Sequence, residues 1–544
     1  MQVHDYTWIF AVSMIAAFGD AFGIGANDVA NSFATSVSSG SLSLAQACVI
    51  ACFTEFLGAV LLGAGTSETI KGGIISVALF VDIPETFMLA MTCAIIGSAC
   101  WVIFATHMEW PVSSTHSIVG AIIGVGIAGF GGNAVDWSWG GVSKIIASWF
   151  ISPIIAGCVS AVIYLSVKYT VLRREDSFKW GLRSVPVYFF ITTVIEAFYI
   201  IYKGAPGTDA AKMSTGTIVG ISFAVGTFFA FFAWFFVCNW LKRRIKGHED
   251  LKWYHVFISP FLSKRPTLQQ ADPELHAPTT TGAVPPQIGE DGNPISEVAT
   301  TASDSKGAVT EKELAFVQEI PEPKNDFKSK MVSIKDRAIG LALHGVRKDV
   351  RNLDNEHLKK VHAAAELYED DAEYMFSFLQ VLTACMASFA HGSNDVSNAV
   401  GPVAAVFGVW QTAAVDVGGK VPVPVWILVY GGVAIDLGLA TMGYKIMRTM
   451  GNNITYFSPS RGFSAELATA LTVLTCSKLG LPVSTTHCIT GATAAIGLCN
   501  GNLSAVNWKM LSWCFASWVI TLPCAGLVAG LLFSFAAYAP ALVK

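Results

Sequence analysis

The feature that most constrains this chain is a series of long apolar runs. The clearest of them cover residues 87–106, 145–172, 217–237, 423–446 and 511–537. Each reaches or exceeds the ~20 residues that a helix needs to cross the apolar core of a bilayer. Only 14% of the residues are charged, whereas a soluble domain carries roughly a quarter. The pattern predicts an all-α polytopic membrane protein with about 12 transmembrane segments and disfavours a soluble bundle of buried helices.

A long hydrophilic stretch interrupts the apolar pattern and predicts three parts. The first membrane half covers residues 1–241, the central segment 242–373 and the second membrane half 374–544. Within the central segment, residues 266–307 are rich in Pro, Thr, Ser and Gly and are predicted to be disordered. Residues 339–369 mix charges with spaced apolar positions, which is typical of a surface helix.

Charge placement predicts the topology. The basic clusters "KRRIK" at 242–246 and "RRED" at 173–176 favour cytoplasmic ends, which would place the central segment in the cytoplasm. The first apolar run starts near Tyr6 with no Lys or Arg before it. That arrangement predicts a true membrane span with an exported N-terminus rather than a cleaved signal peptide.

The two membrane halves contain the same pair of motifs in the same order. "GANDVAN" at 25–31 recurs as "GSNDVSN" at 392–398, and "PVSSTHSIVGA" at 111–121 recurs as "PVSTTHCITGA" at 482–492. The offsets are 367 and 371 residues. An internal duplication in a helical membrane protein indicates a transporter with its site near the midplane, where the repeats meet. An odd number of crossings between the copies would invert one repeat relative to the other. The predicted fold is therefore two inverted repeats, and it includes broken or re-entrant helices.

The first motif places amides and a carboxylate at membrane depth. Residues four apart share a helix face, so each copy presents two asparagines beside an aspartate: Asn27, Asp28 and Asn31, then Asn394, Asp395 and Asn398. A carboxylate inside a membrane costs at least ~2.5 kcal/mol unless it faces a partner or a cavity. Carboxylate and amide oxygens suit a hard cation, and a carboxylate can also accept a hydrogen bond from a protonated oxyanion. The alternative is a purely structural set of interhelical hydrogen bonds.

The second motif resembles the start of a helix that binds an anion. Pro111 and Pro482 suit a first helical turn, and three hydroxyls follow each of them: Ser113, Ser114 and Thr115, then Ser484, Thr485 and Thr486. The first N–H groups of a helix lack intrahelical partners, and the helix dipole makes that end partly positive. Two such ends could surround a tetrahedral oxyanion without Lys or Arg. Ordinary helix capping by Ser and Thr is the alternative.

Other polar residues in the apolar runs are weaker candidates. His116 and His487 close the hydroxyl triplets and could bind the anion, sense pH or only pack. Glu55 is the lone acid of its apolar run, so it is either functional or at a helix end. Glu466 lies near a predicted helix start, where acids are favoured, while Glu196 and Asp436 lie outside the repeats. The sequence has no GxxxxGK[ST] nucleotide loop, no His/Cys metal spacing and no nucleophile elbow, which disfavours an enzyme.

These motifs resemble those of the inorganic phosphate transporter (PiT) family. "GANDVANS" and "PVSSTHSIVGA" in the first half, with "HGSNDVSNAVGP" and "GLPVSTTHCITGA" in the second, carry the resemblance. The large segment between the halves looks most like the fungal sodium-coupled phosphate permeases. The resemblance implies homodimers in the plasma membrane and an external location of both termini.

The resemblance also implies site roles. Asp28 and Asp395 would contact phosphate or ions, the two hydroxyl triplets would line the phosphate site, and the four asparagines would help to bind sodium. Glu55 matches an acidic position regarded as important in the family. The copies differ at Ser114 versus Thr485 and at Ser117 versus Cys488, so paired residues need not act equally.

The sequence thus predicts a secondary symporter that imports inorganic phosphate with sodium by alternating access. Sodium is co-transported, and no organic cofactor or nucleic-acid partner is expected. The alternatives are a proton-coupled symporter of the same fold and a phosphate sensor that signals through the central segment. A channel is less favoured, because two discrete polar motifs indicate an occluded site.

Overall fold

The computed structural model describes residues 1–65, 67, 70, 73–203, 213–267, 356–417, 423–451 and 453–539. Within these ranges the chain is mainly helical and contains no strand beyond two isolated bridges, which confirms the all-α prediction. Nine helical stretches of this part of the chain are long and apolar enough to cross a membrane. They include the five apolar runs named above, apart from residues 423 and 424 at the start of the fourth run.

The first half supplies eight helices. They are α1 (Thr7–Asn27), α2 (Ala30–Ser38), α3 (Leu44–Leu62), α4 (Pro84–His107), α5 (Ser114–Phe130), α6 (Val142–Val167), α7 (Ser177–Lys203) and α8 (Thr215–Phe232). Turns of π-helix prolong α6 to Leu172, and α8 continues to Lys246. The break between α1 and α2 falls at Asp28 and Val29, inside the first acid–amide motif.

The second half supplies five more helices after the short α9 (Glu356–Ala363). They are α10 (Asp370–Thr412), α11 (Val425–Met450), α12 (Pro459–Lys478), α13 (Thr485–Leu498) and α14 (Trp508–Tyr538). At 1.5 Å per residue, the 17 residues of α5 and the 14 of α13 are too short to cross the ~30 Å core of a bilayer. These two short helices, each of which begins at a proline motif, fit the broken or re-entrant helices of the predicted fold.

Helices of one half pack against helices of the other, and each such contact recurs between the equivalent helices with the two halves exchanged. Helix α5 lies against α14, and its counterpart α13 lies against α6; likewise α1 packs against α11, and its counterpart α10 packs against α3. Glycines allow the closest crossings. A methyl group on Gly25 would lie 1.8 Å from the carbonyl oxygen of Ile435, and one on Gly392 would lie 2.2 Å from that of Glu55. Each repeat is therefore completed by the other.

The end of the central segment is fastened to both membrane halves. Glu366 bonds to Lys168 at 2.8 Å and to Arg173 at 2.9 Å, and its backbone carbonyl accepts a hydrogen bond from buried Arg461. Burial opposes ionisation of Glu366, but the hydrogen bonds from Arg173 and Lys168 outweigh it and lower the pKa of that carboxyl to about 2. The contact therefore stays ionised at neutral pH.

The predictions for the rest of the central segment are addressed only in part. Of the expected surface helix at 339–369, the described portion begins at Glu356, and it is helical to Ala363. The region predicted to be disordered, 266–307, lies outside the described residues from position 268 onward.

Candidate functional site

Two hairpin turns bring the hydroxyl triplets to the starts of α5 and α13. Ser113 and Ser484 are the N-cap residues, and their hydroxyls accept hydrogen bonds from the backbone N–H groups of His116 and His487, each at 3.3 Å. The first hydroxyl of each triplet therefore satisfies its own helix end. The second and third hydroxyls of each triplet do not cap the helix and face the middle of the site.

Each motif aspartate contacts both hairpins. Asp28 accepts from the backbone N–H of Ser114 at 3.2 Å and from the Thr486 hydroxyl at 3.4 Å. Asp395 accepts from the Thr485 hydroxyl at 2.8 Å and from the Thr115 hydroxyl at 3.5 Å. Both carboxylates are almost fully buried.

The two hairpin tips also bond to one another. The single hydrogen of the Thr115 hydroxyl is shared between Asp395 and the carbonyl of Val483, which lies 3.4 Å away. That of the Thr486 hydroxyl is likewise shared between Asp28 and the carbonyl of Val112, at 3.3 Å. These bonds are equivalent under exchange of the two repeats. The structure thus brings both triplets and both acid–amide motifs into one site.

The four motif asparagines divide into two kinds. Asn27 donates to the carbonyl of Trp110 at 3.0 Å, and Asn394 donates to that of Val483 at 2.8 Å, so each holds a hairpin tip in place. Asn31 donates to Thr486 at 2.7 Å, and Asn398 donates to the Ser114 hydroxyl at 3.0 Å.

The side-chain oxygens of Asn31 and Asn398 are buried, and neither has a hydrogen-bond partner in the described ranges. Such oxygens are suitable ligands for a hard cation. The structure therefore leaves two amide oxygens available beside two carboxylates.

A histidine that the sequence analysis passed over joins the aspartates. One ligand atom each from Asp28, His391 and Asp395 lie within 4.8 Å of one another. His391 Nε2 is 2.9 Å from Asp395 Oδ2, and His391 Nδ1 is 2.8 Å from Glu55 Oε2. Glu55 lies within α3 and is fully buried, so it is not at a helix end. The spacing of four residues between His391 and Asp395 was the available signal for this contact.

This pair breaks the symmetry of the site. The motif offset of 367 maps His391 onto Ile24, and the reciprocal glycine crossings map Glu55 onto Ile435. The histidine–glutamate contact between α10 and α3 thus corresponds to two isoleucines, Ile24 and Ile435, at the equivalent crossing of α1 and α11.

His116 and His487 pack against each other on the far side of the triplets. Their ring centroids are 4.6 Å apart. His116 Nδ1 bonds to the carbonyl of Trp518 at 3.3 Å, and His487 Nδ1 bonds to that of Trp149 at 3.0 Å. These contacts are made to backbone and indole rings and not to the aspartates, so they support a packing role for the histidine pair.

The helix-start explanation of Glu466 is wrong. This residue lies two turns inside α12 and is fully buried. Four side chains donate hydrogen bonds to its carboxylate, and none of these bonds could be predicted from the sequence. The donors are Thr35 at 2.5 Å, Ser36 at 2.6 Å, Thr383 at 2.7 Å and Gln380 at 3.2 Å. Glu196 lies on α7 and Asp436 on α11, and the described contacts connect neither to the hydroxyl triplets.

Comparison with known proteins identifies the family of the chain. A model of the phosphate transporter family matches residues 24–529. The chain is 36% identical to the phosphate-repressible phosphate permease pho-4 of Neurospora crassa and 33% identical to the sodium-dependent phosphate transporter 2 of Homo sapiens, in each case over 99% of both chains. A solved structure described as the sodium-dependent phosphate transporter superposes with a TM-score of 0.66 at 28% identity, over 99% of this chain and 100% of the other. This multi-pass membrane protein therefore belongs to the phosphate transporter family.

Proposed function

We propose that this chain imports inorganic phosphate together with sodium by alternating access. The observation that carries the proposal is the meeting of two helix N-termini and two acid–amide motifs in one buried site. The dipoles and free N–H groups of α5 and α13 favour a tetrahedral oxyanion, and the hydroxyls of Ser114, Thr115, Thr485 and Thr486 add donors. Among the described groups bonded to the two aspartates there is no Lys or Arg, so the anion can be released again.

Cations are needed because the aspartates repel both each other and the phosphate. Carboxylate oxygens of the two aspartates lie within 4.8 Å of one another, and two unit charges that close repel by at least about 3 kcal/mol at an effective dielectric constant near 20. Sodium bound by Asp28, Asp395 and the unpartnered amide oxygens of Asn31 and Asn398 would remove that penalty. Phosphate would then bind only after the cations, which is the basis of coupling. The relatives that are named sodium-dependent support this choice of cation.

Alternating access requires that the two approaches to the site differ, and two features of the structure support such a difference. A cavity of about 740 Å³ has the tip of the second hairpin, Gly480 to Pro482, in its wall. Next to the tip of the first hairpin, the guanidinium of Arg448 instead holds both carboxylate oxygens of Glu109, at 2.6 and 2.8 Å. Trp110 packs edge-on against Trp513 beside this pair. We assign the cavity to the open approach and the ion pair to the closed one.

The wider arrangement is part of the same proposal. The exchanged packing of equivalent helices supports inverted repeats, and the basic ends of α6 and α8 support a cytoplasmic central segment. Residence in the plasma membrane and assembly as a homodimer rest on the family resemblance.

Sodium-dependent flux in reconstituted vesicles tests the proposal. Labelled phosphate uptake by the full chain should collapse when external sodium is replaced by choline at fixed pH. Asp28→Asn and Asp395→Asn should each abolish or uncouple uptake while the protein still folds. Uptake that persists in choline and follows the pH gradient would favour proton coupling instead, and wild-type uptake by both variants would contradict the site.

A sensor is separated from a transporter by deletion within the central segment. Removing residues 271–304 should leave phosphate uptake intact if the chain is a transporter. Loss of a phosphate-dependent signal with no flux in any reconstituted sample would favour the sensor.

A further inference from the structure

One buried carboxylate has no assigned role. Asp20 lies in α1, eight residues before Asp28, and its side chain is completely inaccessible. Neither of its oxygens has a hydrogen-bond partner in the part of the chain that the structure describes. The other fully buried carboxylates differ, because Glu55 contacts a histidine and Glu466 accepts four hydrogen bonds.

The surroundings of Asp20 are apolar apart from one hydroxyl. Ser98, on the adjoining helix α4, faces the carboxylate, and its buried hydroxyl is close enough to act on it, although the two groups make no hydrogen bond of good geometry. The neighbouring turns of α1 carry Ala17, Ala21 and Ile24, which belong to the buried apolar core. From α4, α10 and α11, the helices packed against α1, no Lys, Arg, His or carboxylate in the described ranges approaches Asp20; the charge that acts on it is that of Asp28.

Asp20 is not part of the duplicated ligand set. The motif offset maps it onto Ala387 in α10, so the second repeat has no equivalent acid. The position is therefore a separate polar group in one half only, and the paired motifs do not require it.

The oxygen count decides what such a group can bind. Two carboxylate oxygens and one hydroxyl supply at most three ligands, whereas hard cations in proteins take about six. An ionised carboxylate at this depth with no partner costs at least ~2.5 kcal/mol. A proton removes that charge and needs only one oxygen, and the Ser98 hydroxyl can exchange a hydrogen bond with the resulting acid.

We infer that Asp20 is a proton-binding site of the transport cycle, occupied in the conformation described here and emptied in another. A proton then moves with phosphate in addition to the metal cations held by the paired motifs. This inference rests on the proposed function, because it adds a second coupled ion to the same cycle. It also names a residue that would bind the proton in the proton-coupled symporter, the alternative that the sequence leaves open.

Charge counting in proteoliposomes tests the inference. The full-length chain is reconstituted, and the net charge moved per labelled phosphate is obtained from reversal potentials at fixed sodium and fixed pH. Asp20→Asn keeps the shape of the side chain but cannot bind and release a proton, so it should move one positive charge fewer per phosphate than the wild type. Asp436→Asn, a lone acid on α11 outside the site, is the matched control and should keep the wild-type value.

The controls separate the outcomes. The pH-dependent species of phosphate are common to all samples and cancel in the comparison. If Asp20→Asn does not fold, Asp20→Ala substitutes the residue found at the equivalent position of α10 and should give the same loss. An unchanged charge per phosphate in the folded variant overturns the inference, as does a missing charge that varies with sodium and not with pH. Uptake that does not depend on sodium in any sample contradicts the proposed sodium coupling. The charge moved per phosphate can still be compared between Asp20→Asn and the wild type in that case.

Discussion

Replacing Gly438 with alanine tests the glycine crossing that sets the position of α1. A methyl group at Gly438 would lie 1.9 Å from the carbonyl oxygen of Phe22 and 2.9 Å from the backbone nitrogen of Ala26. An ordinary contact begins near 3.4 Å, so α1 and α11 would have to separate by up to 1.5 Å. Overpacking of this kind costs about 1–3 kcal/mol, and the better helix propensity of alanine returns at most about 1 kcal/mol.

The displacement should reach the site, because Asn27 and Asp28 directly follow this crossing. A shift of ~1 Å in a positioned group can reduce a rate about 100-fold. We expect Gly438→Ala to lower the apparent melting temperature of the detergent-solubilised protein by a few degrees and to reduce phosphate uptake at least tenfold.

A matched control separates crowding from the loss of glycine itself. Gly220 is an exposed glycine in α8 with no atom within 4 Å of an added methyl group. Gly220→Ala should leave uptake unchanged and slightly raise the melting temperature, because alanine favours the helix by about 1 kcal/mol. Wild-type melting and uptake in Gly438→Ala would show that the close crossing does not hold the site.

Three further tests probe separate parts of the molecule. Ser113→Ala removes a helix cap and should cost about 1 kcal/mol of stability with little change in the KM for phosphate, whereas Ser114→Ala should raise that KM; equal effects in both assays would contradict the division of roles. Arg448→Gln removes a half-exposed ion pair worth at most ~1 kcal/mol, so a cysteine placed by Trp110→Cys should be labelled a few times faster in that background. Glu366→Gln should expose the peptide around α9 to limited proteolysis at neutral pH. In the wild type the pKa of about 2 predicts that this contact is kept above pH 4 and lost only as the pH falls toward 2; release near pH 5 would argue against the ion pair.

The helices and the two motif pairs could be predicted because their signals are local. Apolar runs of spanning length read directly as helices, and the start of α13 follows from the proline and hydroxyls at 482–486. Convergence of the motifs followed from their duplication, since related repeats of a transporter meet around one site.

The partners of the buried acids could not be predicted in the same way. Glu55 and His391 are 336 residues apart in the chain, and a lone acid in an apolar run has the same local sequence whether a partner reaches it or not. Asp20 and Glu466 show the difference, because the first has no partner among the described residues and the second has four. Only the packing of helices distinguishes them.

The exchanged packing of equivalent helices has a consequence for biosynthesis. As the chain leaves the ribosome, α5 is complete by residue 130, but the helix that covers it, α14, begins at Trp508. The polar face of the first hairpin must therefore stay uncovered in the membrane for nearly the whole of synthesis, until α14 has been made. Truncated chains should consequently be degraded, and co-expressed halves should rescue one another where neither half survives alone.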